Sequence, residues 1–332
     1  MSDEQRIIDC LINDYGIEIV ELALLPLGSD MHASVYKAQG YDRSCYFIKA
    51  KRYQDSDITP FIIELLQDAG IKQIVPIIKA IHLKPTYRIG EFTLTVSPFI
   101  EGKDGFSQTL TDDQWITFGK TIRKVHEIEV PASIQAMLDL ESYSSQWRDV
   151  VKSLLLHIQH EPRGDEVAIQ LVAFMKQHVV SIERLVGRAE HLAQKLQKKS
   201  HEFVLCHTDI HGGNIMIDVN NAIYMVDWDA PIMAPKERDL MFIGGGVANV
   251  WNQPHEEALF YQGYGKTEVN MEILAYYRLE RIVQDIAEYG QQLLLSAAGG
   301  KDRLQSYKHF VAQFDTQGVV EIAFKTDDGL AI

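Results

Sequence analysis

The chain is predicted to be an α+β protein of two lobes, with a small antiparallel β-rich N-terminal lobe, a larger helical C-terminal lobe and a cleft between them. Three observations predict this. Its 332 residues suggest about two domains at roughly 150 residues each. Residues 1–98 are mostly short runs rich in β-branched and aromatic side chains, separated by turn residues. From Gly102 onward, apolar residues recur instead at helical spacing. The expected division is therefore 1–98 and 99–332, with the connection near 97–103. Clefts between lobes are a preferred place for small-molecule sites.

The elements follow in order. Ile7, Ile8, Leu11, Ile12 and Tyr15 recur at helical spacing, and Gly16 can close that first helix. Residues 17–25, 33–38 and 44–49 read as strands, punctuated by turns at 26–30 and 40–43. Thr59 and Pro60 start a helix as N-cap and first helical residue, and Gly70 ends it. Two further strands are expected at 74–80 and 87–98. In the second lobe, Thr111-Asp112-Asp113-Gln114 is a capping box before Trp115, Phe118, Ile122 and Val125. Residues 165–199 and 270–295 read as long amphipathic helices, the first ending in Lys195, Lys198 and Lys199.

Composition narrows the function. Hydrophobic residues at 46% and charged residues at 23% are ordinary for a globular chain, which excludes disordered and disulfide-scaffold classes. The 32 basic and 46 acidic residues leave a net charge of −14, so nucleic acid is a disfavoured partner and a small cation a favoured one. Cys10, Cys45 and Cys206 are scattered and fit reduced thiols. The chain opens with charges of both signs, and its longest uncharged stretch, 240–255, contains three glycines, Asn, Gln and Pro. A cytoplasmic protein with no membrane partner is therefore expected, of undetermined oligomeric state.

Residues 203–229 carry the chemistry. A short apolar strand, 203–206, runs into the polar loop His207–Asn214, and two strand-like runs, 215–219 and 222–226, are joined by the turn pair Asn220-Asn221. Such a hairpin sets Asn214, before its first strand, beside Asp227, after its second. Oxygen ligands from Asn and Asp with no soft donor describe a Mg²⁺ site that leaves positions for phosphates and water. Asp209, five residues upstream of Asn214, is a separate carboxylate able to take a proton from a hydroxyl. One Asp orienting a nucleophile, with Asn and a second Asp holding metal, is the division of labour of phosphoryl transfer. His207, Asp209 and His211 are also chemically competent as a zinc set, but that reading leaves Asn214 and Asp227 unexplained.

His207-x-Asp209-x₄-Asn214, with Asp227 thirteen residues later, matches the protein-kinase catalytic loop in layout. The form His-x-Asp-Ile-His-x-x-Asn resembles more closely the aminoglycoside phosphotransferase and choline kinase group. The run 234–246, the nearby Val250-Trp251-Asn252, Tyr46-Phe47-Ile48-Lys49 and Pro98-Phe99-Ile100 look like the spectinomycin phosphotransferases of that family. The resemblance covers nearly the whole chain in order. It implies a bilobal protein-kinase-like fold and an ATP-dependent O-phosphotransferase using Mg²⁺. It further implies that Asp209 is the catalytic base, that Asn214 and Asp227 are metal ligands and that Lys49 contacts the α- and β-phosphates. Backbone groups of Pro98, Phe99 and Ile100 would meet adenine, and Ser29 lies in the nucleotide-positioning turn 28–32. Asp239 would brace the catalytic loop. Glu64 is favoured over Asp57 as the acidic partner of Lys49. The tripeptide reads Asp227-Trp228-Asp229, where protein kinases have Asp-Phe-Gly, and Gly28 is the sole glycine of its loop.

The expected acceptor is a 9-hydroxyl of spectinomycin, a small cationic aminocyclitol. Candidate substrate contacts are Asp229, Trp251 and the helix carboxylates Glu280, Asp285 and Glu288. The same skeleton serves choline, homoserine and methylthioribose kinases, and a non-catalytic ligand-binding protein of kinase-like fold is the competing class.

Overall fold

The computed structural model describes residues 3–25, 33–52, 58–82, 85–159, 164–296 and 302–331. The chain divides into two compact units, each drawn from separated stretches of sequence. The first comprises residues 1–110, 127–139 and 213–231, and the second 111–126, 140–212 and 232–332.

The first unit opens with α1 (Asp3–Tyr15), whose Ile7, Cys10, Leu11 and Tyr15 repeat at helical spacing and are buried. Gly16 ends it at φ 67°, a left-handed conformation that glycine adopts at little steric cost. A five-stranded antiparallel sheet follows, in the order β1-β2-β3-β5-β4. Its strands are β1 (Ile19–Leu25), β2 (Ala33–Gly40), β3 (Cys45–Arg52), β4 (Tyr87–Ile89) and β5 (Phe92–Pro98). α1 packs on the face carrying Tyr36, Ala38, Ile48, Ala50, Leu94 and Val96. Strand alternation therefore turns Lys49 and Lys51 of β3 to the opposite face.

Expectation and structure differ at several places here. α2 (Thr59–Asp68) begins one residue early, so Thr59 is its first helical residue and Ile58 takes the cap position without a side-chain bond. Residues 74–80 form no strand but only an isolated bridge from Ile74 to Met225. Pro76 lies in this run and has no N–H to give a ladder. Residues 87–98 are two strands, not one. Beyond Gly102, where helix is expected, β6 (Gly102–Asp104) first pairs with β9 (Ile215–Asp218), which pairs in turn with β10 (Ile223–Met225). A short helix, α4 (Ala132–Gln135), completes this unit.

The second unit is largely helical. α3 (Asp112–His126) starts at the expected capping box: Thr111 N–H donates to Gln114 Oε1 at 2.8 Å, and Gln114 N–H to Thr111 Oγ1 at 3.3 Å. After β7 (Asp139–Leu140), where the chain passes between units, come α5 (Gln146–His157), α6 (Glu166–Gln177) and α7 (Val179–Leu196). The single helix expected over 165–199 is thus two helices. His178 interrupts it: its ring stacks on Phe174 at 4.0 Å, and its Nδ1 lies 3.0 Å from the Phe174 carbonyl. A side chain that bonds its own backbone competes with helix continuation, while the apolar periodicity runs on undisturbed.

The antiparallel pair β8 (Val204–Cys206) and β11 (Ile232–Ala234) leads to α8 (Glu237–Leu240) and α9 (Pro254–Tyr264). α10 (Met271–Gly290) follows, with α11 (Asp302–Ala312) and α12 (Val319–Asp328). α10 packs against α5, α7 and α12, and Asn270 caps it by accepting the Glu272 and Ile273 N–H groups. It ends at Gly290, and residues 291–295, expected to be α-helical, form a π-helical turn. α3 and α9 touch backbone to backbone: a Cβ on Gly119 would lie 2.0 Å from the Phe260 carbonyl oxygen, and one on Gly263 2.0 Å from that of Ile116. Among the described residues no helix is long and apolar enough to cross a membrane.

Candidate active site

In the second unit, the loop after β8 is held from below by one buried carboxylate. Asp239, on α8, is fully buried. Its Oδ2 accepts the His207 N–H at 2.9 Å, and its Oδ1 accepts the Thr208 N–H at 2.7 Å. His126 Nε2 lies 3.1 Å from Asp239 Oδ2, and His126 Nδ1 lies 2.8 Å from the Tyr264 hydroxyl. A neutral imidazole protonated on Nε2 donates to the first and accepts from the second. Burial would raise the Asp239 carboxyl, but His126, His207 and these backbone donors outweigh it and hold it below its ordinary value. Thr208 sits at φ 77°, an outlier for a β-branched residue, so the loop is kept in a conformation it would not choose alone.

This brace presents Asp209. Arg281 Nη1 of α10 lies 2.6 Å from Asp209 Oδ1, and His211 Nε2 lies 3.3 Å from Oδ2. Burial would raise the Asp209 carboxyl, but His211 and Arg281 hold it well below the usual carboxylate range. Arg281 also donates from Nε to Asp285 Oδ1 at 3.0 Å. Burial pushes Asp285 up to about 6, against the pull of that guanidinium.

In the first unit, the 215–225 hairpin has the register Ile223–Ile217, Tyr224–Met216 and Met225–Ile215. Its turn carries Asn221 at φ 65°. The Val226 N–H donates to the Asn214 carbonyl at 3.0 Å, so Asn214 stands across from Val226 and Asp227 follows one residue on. The backbone at Asp227 is left-handed, with φ 64°. Lys49 Nζ lies 3.0 Å from Asp227 Oδ1 and 2.6 Å from Asp229 Oδ2, and Lys51 Nζ is 3.5 Å from the same Asp229 oxygen. Burial alone would lower the Lys49 ammonium, but the two carboxylates outweigh it and push it up. Burial would raise Asp229, and the two lysines bring it below its ordinary value.

The remaining expected residues fall in different places. Glu64 pairs with Lys79 at 2.9 Å, and Lys49 meets the carboxylates of Asp227 and Asp229. Asp229 is thus tied to two lysines. Pro98 pairs with Tyr46 across β3 and β5, the Phe99 N–H donates to the Cys45 carbonyl at 2.9 Å, and Ile100 follows at the end of β5. Ser29 and Asp57 lie outside the described residues. Trp251 is a core residue, 5.2 Å from Trp115 and 5.5 Å from Phe118 between ring centres. Glu280 is buried in an ion pair with Arg148, and burial pushes it up to about 7. Glu288 accepts from Gln284 at 2.8 Å on the exposed side of α10. Of the three helix carboxylates, Asp285 alone reaches the Asp209 cluster by a direct contact to its guanidinium.

Two participants escaped the sequence reading. Lys51 had a usable signal, since it follows Lys49 by two on one strand and shares its face. Arg281 precedes Asp285 by four on a helix, the spacing of a helical ion pair, but nothing local ties it to Asp209, 72 residues away.

Metal fit follows from donor chemistry. Asn214, across from Val226 on the hairpin, and Asp227, one residue on, offer hard oxygens, as Mg²⁺ requires. Among the described residues His126, Cys206 and Asp239 form another close group, with ligand atoms within 4.8 Å of one another. The nitrogens of His126 and both oxygens of Asp239 are already engaged in the loop brace.

Comparisons with known proteins address the family. A family model described as "phosphotransferase enzyme family" matches residues 23–268. The solved spectinomycin phosphotransferase APH(9)-Ia in complex with ADP and spectinomycin is 44% identical, with a TM-score of 0.92 over 97% of this chain and 98% of that one. Its AMP-bound complex gives 44% identity and a TM-score of 0.87 over 96% and 98%. The choline kinase LicA from Streptococcus pneumoniae shares the fold at 17% identity, with a TM-score of 0.58 over 96% and 99%. A comparison with curated protein sequences finds no match.

Proposed function

The chain belongs to the phosphotransferase enzyme family, and from that premise we propose that it transfers the γ-phosphoryl group of ATP to the 9-hydroxyl of spectinomycin, thereby conferring resistance to this antibiotic. The observation that carries the substrate reading is its 44% identity, over nearly its whole length, to a phosphotransferase solved with ADP and spectinomycin. In this reading each main group of the two units has a role.

Asp209 accepts the hydrogen bond of the attacking hydroxyl and takes its proton as the oxygen–phosphorus bond forms. The γ-phosphoryl leaves ADP and ends on the substrate oxygen. Because the transition state is loose, orientation by Asp209 matters more than its strength as a base, so its depressed proton affinity is compatible with this task. Lys49, with Lys51 beside it on β3, offers positive charge to the nucleotide phosphates. The acids Asp227 and Asp229 contact these lysines. Asn214 and Asp227 would hold Mg²⁺, which when bound neutralises charge on the phosphates. Backbone groups of residues 98–100 would meet adenine, although the Phe99 N–H donates to the Cys45 carbonyl. In this reading residues 1–98 form the nucleotide lobe and 99–332 the catalytic and substrate lobe, at a cytoplasmic location that suits three free cysteines.

The test is turnover of Mg·ATP by the purified chain with spectinomycin, other aminoglycosides, choline and homoserine. ADP release and the mass gain of one phosphoryl group are read together. Spectinomycin is expected to be phosphorylated with the highest kcat/KM. ADP formation with another alcohol and none with spectinomycin refutes the substrate, and ligand binding with no transfer to any acceptor refutes the enzyme.

A further inference from the structure

We propose that Arg281 is the positioning residue of the Asp209 carboxylate, with Asp285 as its anchor on α10; this rests on the reading of Asp209 as the group that orients the acceptor hydroxyl. Asp209 stands on a loop and is only half-buried, so its side chain needs external restraint to keep one orientation. The structure provides restraint on both oxygens. His211, from the same loop, lies against Oδ2 at 3.3 Å. Arg281, from a long packed helix, lies against Oδ1 at 2.6 Å.

The guanidinium is itself fixed. Its Nε bonds Asp285 one helical turn away at 3.0 Å, and its Cζ lies 5.8 Å from the Phe242 ring centre. With the Arg281 side chain 13% exposed and that of Asp285 14%, this is no solvated surface pair. Glu288 and Tyr289, further along α10, interact with this cluster only through longer-range electrostatics, while the guanidinium contacts Asp209 and Asp285 directly. Only a planar fork can bond Asp209 through one nitrogen and Asp285 through another, which an ammonium on a flexible stem does not reproduce. The half-buried carboxylate of Asp285 is thereby given a purpose: it transmits the rigidity of α10 to a loop side chain.

The experiment compares Arg281→Gln, Arg281→Lys and Arg281→Ala with the parent protein in Mg·ATP and spectinomycin turnover. Misplacing a reacting group by about 1 Å costs on the order of a hundredfold in rate. Arg281→Gln should therefore lower kcat roughly 10- to 100-fold with the KM for ATP within about twofold, since nucleotide contacts are assigned to other residues. Arg281→Lys should recover only part of the loss, and millimolar guanidinium should partly restore Arg281→Ala, a response that mere loss of folding would not show. A kcat within about threefold of the parent in both the Gln and Lys variants overturns the proposal. So does a loss confined to KM for ATP. If the parent itself leaves spectinomycin untouched, the proposed function fails separately. The Arg281 contact is then judged by the carbon-13 titration of Asp209, whose midpoint must rise in Arg281→Gln and whose constancy refutes it.

Discussion

Replacing Asp239 by Asn tests how the loop after β8 is held. The carboxylate accepts two backbone N–H bonds, at 2.9 Å from His207 and 2.7 Å from Thr208, and contacts His126 Nε2 at 3.1 Å. Hydrogen bonds to a charged partner are worth about 1.5–3 kcal/mol each. An amide keeps the shape but has one acceptor oxygen, so one buried N–H must face the new NH₂ donor. Removing one side of a buried charged network costs about 3–5 kcal/mol. Against a total stability of about 5–15 kcal/mol, Asp239→Asn should lower the urea midpoint sharply while leaving the slope unchanged.

The pH dependence has a definite sign. The folded-state proton affinity of Asp239 is depressed. Its contribution is therefore present above the unfolded carboxylate value of about 4 and fades as pH falls through the folded value. The gap between parent and variant should thus be full at pH 7 and shrink in acid. Tryptophan fluorescence reports the unfolding, since Trp115 and Trp251 lie in the same unit. A loss below about 1 kcal/mol at pH 7, or a gap that widens in acid, would refute the brace.

Three other predictions concern chemistry and packing. Asp209→Asn should lower kcat about 10²- to 10⁴-fold with nucleotide affinity retained, and a kcat within about threefold of the parent would exclude the assigned role. Asp227→Ala should collapse both turnover and the affinity for Mg·ATP. Normal Mg²⁺ dependence in that variant would show that Asp227 is not a ligand. Gly119→Ala places a methyl 2.0 Å from the Phe260 carbonyl oxygen and should cost about 1–3 kcal/mol in thermal unfolding. Gly187→Ala, in α7 with no neighbour within 4 Å, should instead stabilise by about 0.4–1 kcal/mol, so equal effects of the two would contradict the packing described.

Much of the fold was legible because its signals are local. The capping box at Thr111 and the glycine after Tyr15 each act through backbone groups within four residues, and both stand where expected. The misses share a cause as well. Periodicity over 165–199 cannot see that the His178 side chain bonds the Phe174 carbonyl, and an apolar run at 74–80 reads as strand although Pro76 denies it a ladder.

The candidate site divides along the same line. The sequence by itself determined that Asp209, Asn214 and Asp227 belong to one loop and one hairpin, because chain connectivity and a two-residue turn set their spacing. It also determined the donor chemistry, since residue types are oxygen or nitrogen ligands wherever they lie. Only tertiary structure decided the partners. Lys49 meets Asp227 across 178 residues, while Glu64, on the helix that follows its strand, pairs with Lys79. On α10, Glu280 and Asp285 are five residues apart and equivalent as sequence, yet one is buried against Arg148 and the other anchors the guanidinium that holds Asp209. The reason is geometric. A helix turns 100° per residue, so which face each carboxylate enters depends on the elements packed around that helix, and those elements come from distant parts of the chain.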